Sequence, residues 1–206
     1  MLEVLILNKY SYIFFLISYL IGSIPFGYLI FKFFKKKDIR RFGSGNIGAT
    51  NVNRLLGKKL AALTLFLDFF KTFLPTFLAY IFLGIENGIV IGALSIIGHI
   101  FPVWLKFKGG KGVASFIGYL LVVSWPLCLI FISIWLLSVK IFRYSALGAI
   151  VSIISNLIIF KTLLYLQFNL NFLLWIPGQP VEFNFILLIS IIILLKHSKN
   201  IKSLIY

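Results

Sequence analysis

Long apolar runs separated by short polar breaks dominate this chain. Apolar segments fall at roughly 12–34, 60–83, 87–105, 113–123, 125–139, 144–166 and 183–195. The runs are continuous and not alternating, so they predict helices instead of barrel strands. A bilayer span needs about 20 apolar residues. The fourth and fifth segments are too short alone, and together they could form one kinked helix, 113–139, with Pro126 near its middle. Charge decides between the two. Lys106, Lys108 and Lys111 precede this stretch, and Lys140 and Arg143 follow it. Basic loops stay in the cytoplasm, so both ends lie on one side and the stretch crosses an even number of times. The pattern predicts a shallow hairpin turning near Ser124-Trp125-Pro126.

The rest of the charge map agrees with seven transmembrane helices. Lys35, Lys36, Lys37, Arg40, Arg41, Arg54, Lys58 and Lys59 fall in the first inner loop, and Lys196, Lys199 and Lys202 follow the last segment. The opposite side holds Lys9, Lys161, Glu3, Glu86 and Glu182, with Asn169–Pro180 as its one sizeable loop. The N-terminus is thus expected outside and the C-terminus in the cytoplasm. The first segment lacks a basic n-region and a small-residue cleavage site, so it reads as retained.

Composition narrows the class. Apolar residues make up 61% of the 206, charged residues only 12%, and mean hydropathy is +1.06. Soluble domains are nearer 45–50% apolar and 25% charged. An all-α integral membrane protein forming a single domain over 1–206 is expected. Cys128 is the single cysteine, which excludes a disulfide framework and a cysteine metal site. The net charge of +15 orients the chain and attracts anionic lipid head groups. Nucleic-acid binding is not expected, because the cations are spread over loops that face a membrane.

Two polar breaks are glycine-rich and carry cations: Gly43-Ser44-Gly45-Asn46-Ile47-Gly48-Ala49-Thr50-Asn51 with Arg54, and Lys108-Gly109-Gly110-Lys111-Gly112. Successive backbone N–H groups in such turns make anion-binding concavities. The first run matches G-x-G-x-x-G, and Asp68 falls where a ribose-binding acid would be sought. The dinucleotide reading fails because a basic run, not a strand, precedes the turn. The second run is no Walker A loop, since Gly112 follows Lys111 where Ser or Thr is needed. Two phosphate-type loops at the mouth of a membrane bundle point to an enzyme acting on phosphorylated substrates at the bilayer surface.

Asp68 and Lys71 are i,i+3 neighbours inside an apolar segment. Ionisable residues at membrane depth are costly and mark function by default. Here a mutually neutralising pair that packs the bundle and orients a loop is preferred to catalysis. His99 reads as a helix-end residue bonded to backbone. If the last helix continues inward, His197 and Asn200 share a face and aim a donor pair at the basic loops. Gly88 and Gly92 form a close helix-packing contact.

These residues resemble the acyl-phosphate-dependent glycerol-3-phosphate acyltransferases (the PlsY family). The run from Gly43 to Asn51, with Arg54 and Gly57-Lys58-Lys59, is similar to that family's first motif. Gly98-His99-Ile100-Phe101-Pro102-Val103 with Lys108 to Ala114 is similar to the second, and Lys196-His197-Ser198-Lys199-Asn200-Ile201 to the third. Leu67-Asp68-Phe69-Phe70-Lys71 and Gly22-Ser23-Ile24-Pro25-Phe26-Gly27 also match. Lys196 stands where Arg is expected, which keeps charge but loses bidentate geometry. Ser115 stands for Thr and keeps a hydroxyl.

The resemblance implies seven transmembrane helices in a bacterial inner membrane. It implies acyl transfer from acyl phosphate to the 1-hydroxyl of sn-glycerol 3-phosphate, giving 1-acylglycerol 3-phosphate and inorganic phosphate with no cofactor or metal. It assigns Ser44, Lys111 and His197 to catalysis. Gly45, Asn46, Gly48, Ala49, Thr50, Asn51, Arg54, Lys108, Gly109, Gly110, Gly112 and Asn200 are assigned to substrate binding. The Ser44–Asn51 loop and Lys111 would hold acyl phosphate, and Arg54, His197 and Asn200 would hold glycerol 3-phosphate. Either a substrate phosphate oxygen or His197 takes the hydroxyl proton. The His-x-x-x-x-Asp acyltransferase motif is absent, since Trp104 and Lys202 stand five after the two histidines. A transporter of an organophosphate or organic anion is the competing class. An odd helix count without an internal repeat weighs against it.

Overall fold

The computed structural model describes residues 11–205, and Glu3 and Lys9 of the charge map lie outside them. The helices are α1 (Ser11–Gly22), α2 (Phe26–Lys35), α3 (Ala49–Leu56), α4 (Lys58–Leu83), α5 (Ile85–Ile100), α6 (Val113–Val123), α7 (Trp125–Phe142), α8 (Ser145–Leu170), α9 (Pro180–Lys196) and α10 (Ser198–Ile205). Short 3-10 turns occupy Ile39–Arg41 and Val103–Leu105, and the described residues contain no strand. Among the described residues, five segments are long and apolar enough to cross a membrane: Tyr12–Lys35, Lys58–Leu83, Ile85–Leu105, Trp125–Phe142 and Ser145–Leu170. The chain divides into two compact units, one up to Tyr119 and the other from Leu120.

Several boundaries differ from the sequence expectation. The first apolar run is a broken helix, because Pro25 has no N–H to continue α1 and its ring restricts Ile24. The third run stops at Ile100, just ahead of Pro102, and its last residues form a 3-10 turn. Helix α9 starts at Pro180, where Gln179 and Glu182 form a reciprocal capping box. The chain between α6 and α7 divides at Ser124, whose backbone is extended, so 113–139 is two helices and not one kinked helix. At 11 residues α6 is about 16 Å long, half the thickness of a hydrocarbon core.

In the first unit, α1, α4 and α5 pack through small and hydroxyl-bearing residues. A Cβ at Gly22 would strike the Ser95 carbonyl, and one at Gly98 would strike that of Tyr19. Such close approach is how helices gain contact where lipid is as apolar as they are. Gly88 packs on the Tyr80 backbone and Gly92 against Thr76 and the Tyr119 ring, as expected of a close-packing pair. Pro75 interrupts α4 and removes the N–H that would meet the Lys71 carbonyl. The Ser95 hydroxyl donates to that carbonyl at 3.0 Å and shares a 2.9 Å hydrogen bond with Thr72. A freed backbone acceptor is thus satisfied inside the bundle, as a hydrocarbon environment demands.

In the second unit, α7 and α8 are joined by Asn156 Nδ2, which donates to Leu127 O at 2.8 Å. Ile153, Ile186, Ile189 and Ile193 bury the facing sides of α8 and α9. The 171–179 connection is held by Gln167 Nε2, which donates to the carbonyls of Leu173 and Ile176.

Candidate active site

The first glycine loop is built around Asn51. Its side chain is buried, and all its capacity shown is spent on the loop: Oδ1 accepts from Ser44 N–H at 2.9 Å, and Nδ2 donates to the carbonyls of Phe42 and Asn46 at 3.0 and 2.9 Å. Gly43 and Gly45 have φ of +58° and +71°, a region that glycine adopts without Cβ strain. Gly43 is needed twice, since a Cβ there would also overlap the Asn51 amide. The loop then runs through Gly48 into α3, a helix inside the first motif that the sequence reading missed. Its signal was the 52, 55, 56 spacing of Val52, Leu55 and Leu56, stopped by Gly57. Ala49 and Thr50 therefore sit in the first turn of a helix, whose N-terminal N–H groups favour an anion. Ser44 is exposed on the loop, and Arg54 is exposed in the last turn of α3.

The second loop follows the same plan. Lys106 and Phe107 are left-handed without being glycine, at φ of +53° and +60°. Gly109 N–H and Gly110 N–H donate to Ile100 O and His99 O at 3.2 and 3.1 Å. Gly112, at φ +91°, ends the loop, and α6 begins at Val113. Lys111 is half-buried at the foot of this helix N-terminus, while Lys108 is exposed. Both glycine loops therefore lead into helix N-termini. They also share one small core: Ile47 and Val52 of the first, Leu105 beside the second, with Phe31 and Ile39. Arg40 bridges them as well, donating to Leu105 O at 3.5 Å while chelating Asp38 at 2.7 to 3.1 Å. Hydrogen bonding from the Arg40 side chain holds the Asp38 carboxyl below its ordinary range.

Behind the second loop lies a buried polar cluster. Lys71 Nζ is 2.8 Å from Asp68 Oδ1, and His99 Nδ1 is 3.5 Å from the same oxygen. The sequence paired Asp68 with Lys71 but left His99 to the backbone. Its carbonyl does bond the loop, yet its ring faces Asp68. Nothing local in sequence links residues on α4 and α5, so this contact was not readable. An apolar cavity of about 530 Å³ lies between α1 and α4, lined by Phe14, Ile17, Phe70, Leu74 and Phe82, with Lys71 in its wall.

The third motif lies in the second unit. Helix α9 does not continue inward; it ends at Lys196, and His197 forms the turn into α10 with φ −92° and ψ 2°. His197 is buried, and its Nδ1 meets Ile193 O at 2.8 Å. A carbonyl only accepts, so Nδ1 carries the proton, and in the neutral ring Nε2 is an acceptor. Asn200 N–H donates to His197 O, while its Nδ2 donates to Tyr144 Oη at 2.6 Å. The two side chains are thus held by different partners and not presented as a matched donor pair.

A multi-pass helical membrane protein with two cationic glycine loops, each running into a helix N-terminus, is equipped to handle phosphate at the end of a bundle. Residues 12–206 match the family model described as glycerol-3-phosphate acyltransferase, and the chain belongs to that family. The glycerol-3-phosphate acyltransferase of Bartonella henselae is 43% identical over 195 residues, 93% of this chain and 86% of that protein. Glycerol-3-phosphate acyltransferase 2 of Thermotoga maritima is 40% identical over 92% of this chain and 90% of its own length. The fold is similar to crystal structures of PlsY (YgiH), an integral membrane glycerol 3-phosphate acyltransferase. Its glycerol 3-phosphate form has a TM-score of 0.84 and 36% identity, covering 95% of this chain and 92% of that one. Its lysophosphatidic acid form has a TM-score of 0.81 and 35% identity, covering 95% and 91%.

Proposed function

We propose that this protein transfers a fatty acyl group from acyl phosphate to the 1-hydroxyl of sn-glycerol 3-phosphate. The products are 1-acylglycerol 3-phosphate and inorganic phosphate, the first step of bacterial phospholipid synthesis. The observation that carries the reading is the pairing of two glycine loops, each at a helix N-terminus, on one shared core with Lys111 and Arg54 nearby. One phosphate-binding loop would serve many ligands; two suit a reaction in which both substrates carry phosphate. The apolar cavity between α1 and α4 offers space of the right chemistry for an acyl tail.

The hydroxyl oxygen attacks the acyl carbonyl, the bond from that carbon to the phosphate oxygen breaks, and phosphate leaves. Lys111 and the N–H groups at the start of α6 stabilise the charge that develops on the carbonyl oxygen. Ser44 and the α3 N-terminus hold the donor phosphate, and Arg54 and Asn200 the acceptor. A phosphate oxygen of a substrate takes the proton. His197, accepting at Nε2, orients the attacking hydroxyl. Acyl phosphate is already activated, so the step needs no nucleotide. Holding both reactants in place supplies much of the acceleration. The site opens to the cytoplasm of the inner membrane in a seven-span topology, N-terminus outside.

The test is purified protein in lipid with synthetic acyl phosphate and labelled glycerol 3-phosphate. Lysophosphatidate should form, and acyl-CoA and acyl-carrier protein should not replace the donor. Product from either rival at a comparable rate, or none from acyl phosphate, would overturn the donor assignment.

A further inference from the structure

The polar cluster behind the second glycine loop takes no part in the chemistry above, yet it is almost entirely buried. Asp68, Lys71 and His99 are 3%, 5% and 4% exposed. Burying ionised groups is costly even when they are paired, and apolar side chains of similar volume often pack at no loss. A cluster of this kind at this position therefore calls for a role other than stability.

Its contacts supply one. Lys71 Nζ also donates to Ile24 O at 2.7 Å, where the chain breaks between α1 and α2. Ser115 Oγ donates to Asp68 O at 2.9 Å, which fixes the first turn of α6 against α4. His99 lies between Asp68 and the loop: its carbonyl accepts Gly110 N–H, and its Nε2 occupies the space a Gly110 Cβ would need. The carboxylate lies 3.5 Å from Nδ1, longer than a hydrogen bond, and its negative charge favours the proton on that nitrogen and the ring orientation that turns it toward Asp68. The ring then leaves one path for the backbone at Gly109 and Gly110, and Lys111 is the next residue.

We infer that Asp68 is a positioning residue for Lys111. It orients the His99 ring, the ring sets the Gly109–Gly110 backbone, and Lys71 balances the charge. The inference rests on the acyl-transfer reading for its kinetic readout but not for its structural one.

The experiment uses the full chain in lipid nanodiscs. Asp68→Asn leaves Lys71 buried without a counter-charge, so the neutral double variant Asp68→Asn/Lys71→Gln is made beside it, and His99→Gln as a third that removes no fixed charge. Kinetics with acyl phosphate and glycerol 3-phosphate should show kcat falling about tenfold to a hundredfold, the scale set by small misplacements of a catalytic group. KM for glycerol 3-phosphate should stay within roughly twofold, because a group acting on the transition state lowers kcat and not ground-state binding. Separately, Lys111→Cys is placed in a Cys128→Ser background and its labelling rate by a charged thiol reagent is measured. That rate should change by about threefold or more in the cluster variants, since it follows access and thiolate character. A folded variant with wild-type kcat and wild-type labelling would overturn the inference. So would a lowered thermal midpoint with both readouts unchanged, which would make the cluster packing alone. If labelling responds but the parent protein acylates nothing, the inference stands and the acyl-transfer reading falls.

Discussion

Single residues here are constrained by what their neighbours have already claimed. Asn51 looked like a phosphate ligand in sequence, but its amide is committed to Ser44, Phe42 and Asn46. It shapes the loop proposed to hold the donor phosphate. Asn51→Ala removes three hydrogen bonds, each worth about 0.5–1.5 kcal/mol net. Thermal stability should fall, and with it activity. The cations separate differently. Lys111→Ala and Arg54→Ala each delete a charged partner worth about 1.5–3 kcal/mol, so turnover should drop at least roughly tenfold. Lys35→Ala, on the exposed last turn of α2, should change little. Equal losses at all three would point to a diffuse electrostatic effect. At His197 the Nδ1 contact with Ile193 O makes a neutral ring an acceptor toward substrate. Gln can also accept from a hydroxyl but cannot carry its proton away. His197→Gln should therefore keep measurable turnover with a raised KM for glycerol 3-phosphate, and His197→Ala should be worse. Complete loss in the Gln variant at saturating substrate, in folded protein, would make His197 the general base. Asp38 gives a pH signature of known sign. Its folded pKa is depressed by Arg40, so the pair's contribution is full above the ordinary carboxylate value and is lost as pH falls through the lower folded one. Asp38→Asn should flatten the acid limb of the thermal midpoint, by a small amount because the pair is partly exposed.

At the scale of elements, the glycine loops were legible because glycine and charge punctuate an apolar chain. The divided stretch at Ser124 was legible because the positive-inside rule required an even count. The break at Pro25 carried its own signal in Gly22-Ser23-Ile24-Pro25, but apolar continuity masked it. Helix α3 was hidden for the opposite reason: eight residues with only Val52, Leu55 and Leu56 as large apolar positions resemble a loop until Gly57 is read as a stop. What no pattern could supply was the contact between α4 and α5 that joins Asp68 to His99. Periodicity gives a residue's face, and only packing gives the face opposite. Gly110 makes the consequence testable. A Cβ there would run into the His99 ring, which Asp68 holds in place. Gly110 is buried and Lys111 half-buried, so Gly110→Ala should lower both stability and turnover, the backbone being forced off the His99 ring and Lys111 moving with it. A folded Gly110→Ala protein with full turnover would show that the loop backbone has slack.

For the whole molecule the open quantity is which side each loop faces. Every cation of the two glycine loops, the Lys140 and Arg143 break and the Lys196–Lys199 run belongs on one side if basic loops remain in the cytoplasm. The 171–179 connection, with Phe172, Leu174 and Trp175 exposed and no charge, belongs on the other. Five segments are long enough to cross, and α6 and α9 are shorter. The seven-span count therefore depends on both, and α6, at 11 residues, requires a thinned bilayer or shielding by protein. Single cysteines replacing Ser44, Lys111 and Ser198, in a Cys128→Ser background, should be labelled from the cytoplasmic side only, and one replacing Asn171 from outside only. If α6 did not cross, the chain after it would keep its charge pattern but reverse a side. The Ser198→Cys variant would then label from outside, and the Asn171→Cys variant from within. That paired inversion is the one result that a tilted or shifted α6 could not mimic, and it would put His197 and Asn200 on the face opposite Lys111, where neither could take part in the reaction proposed.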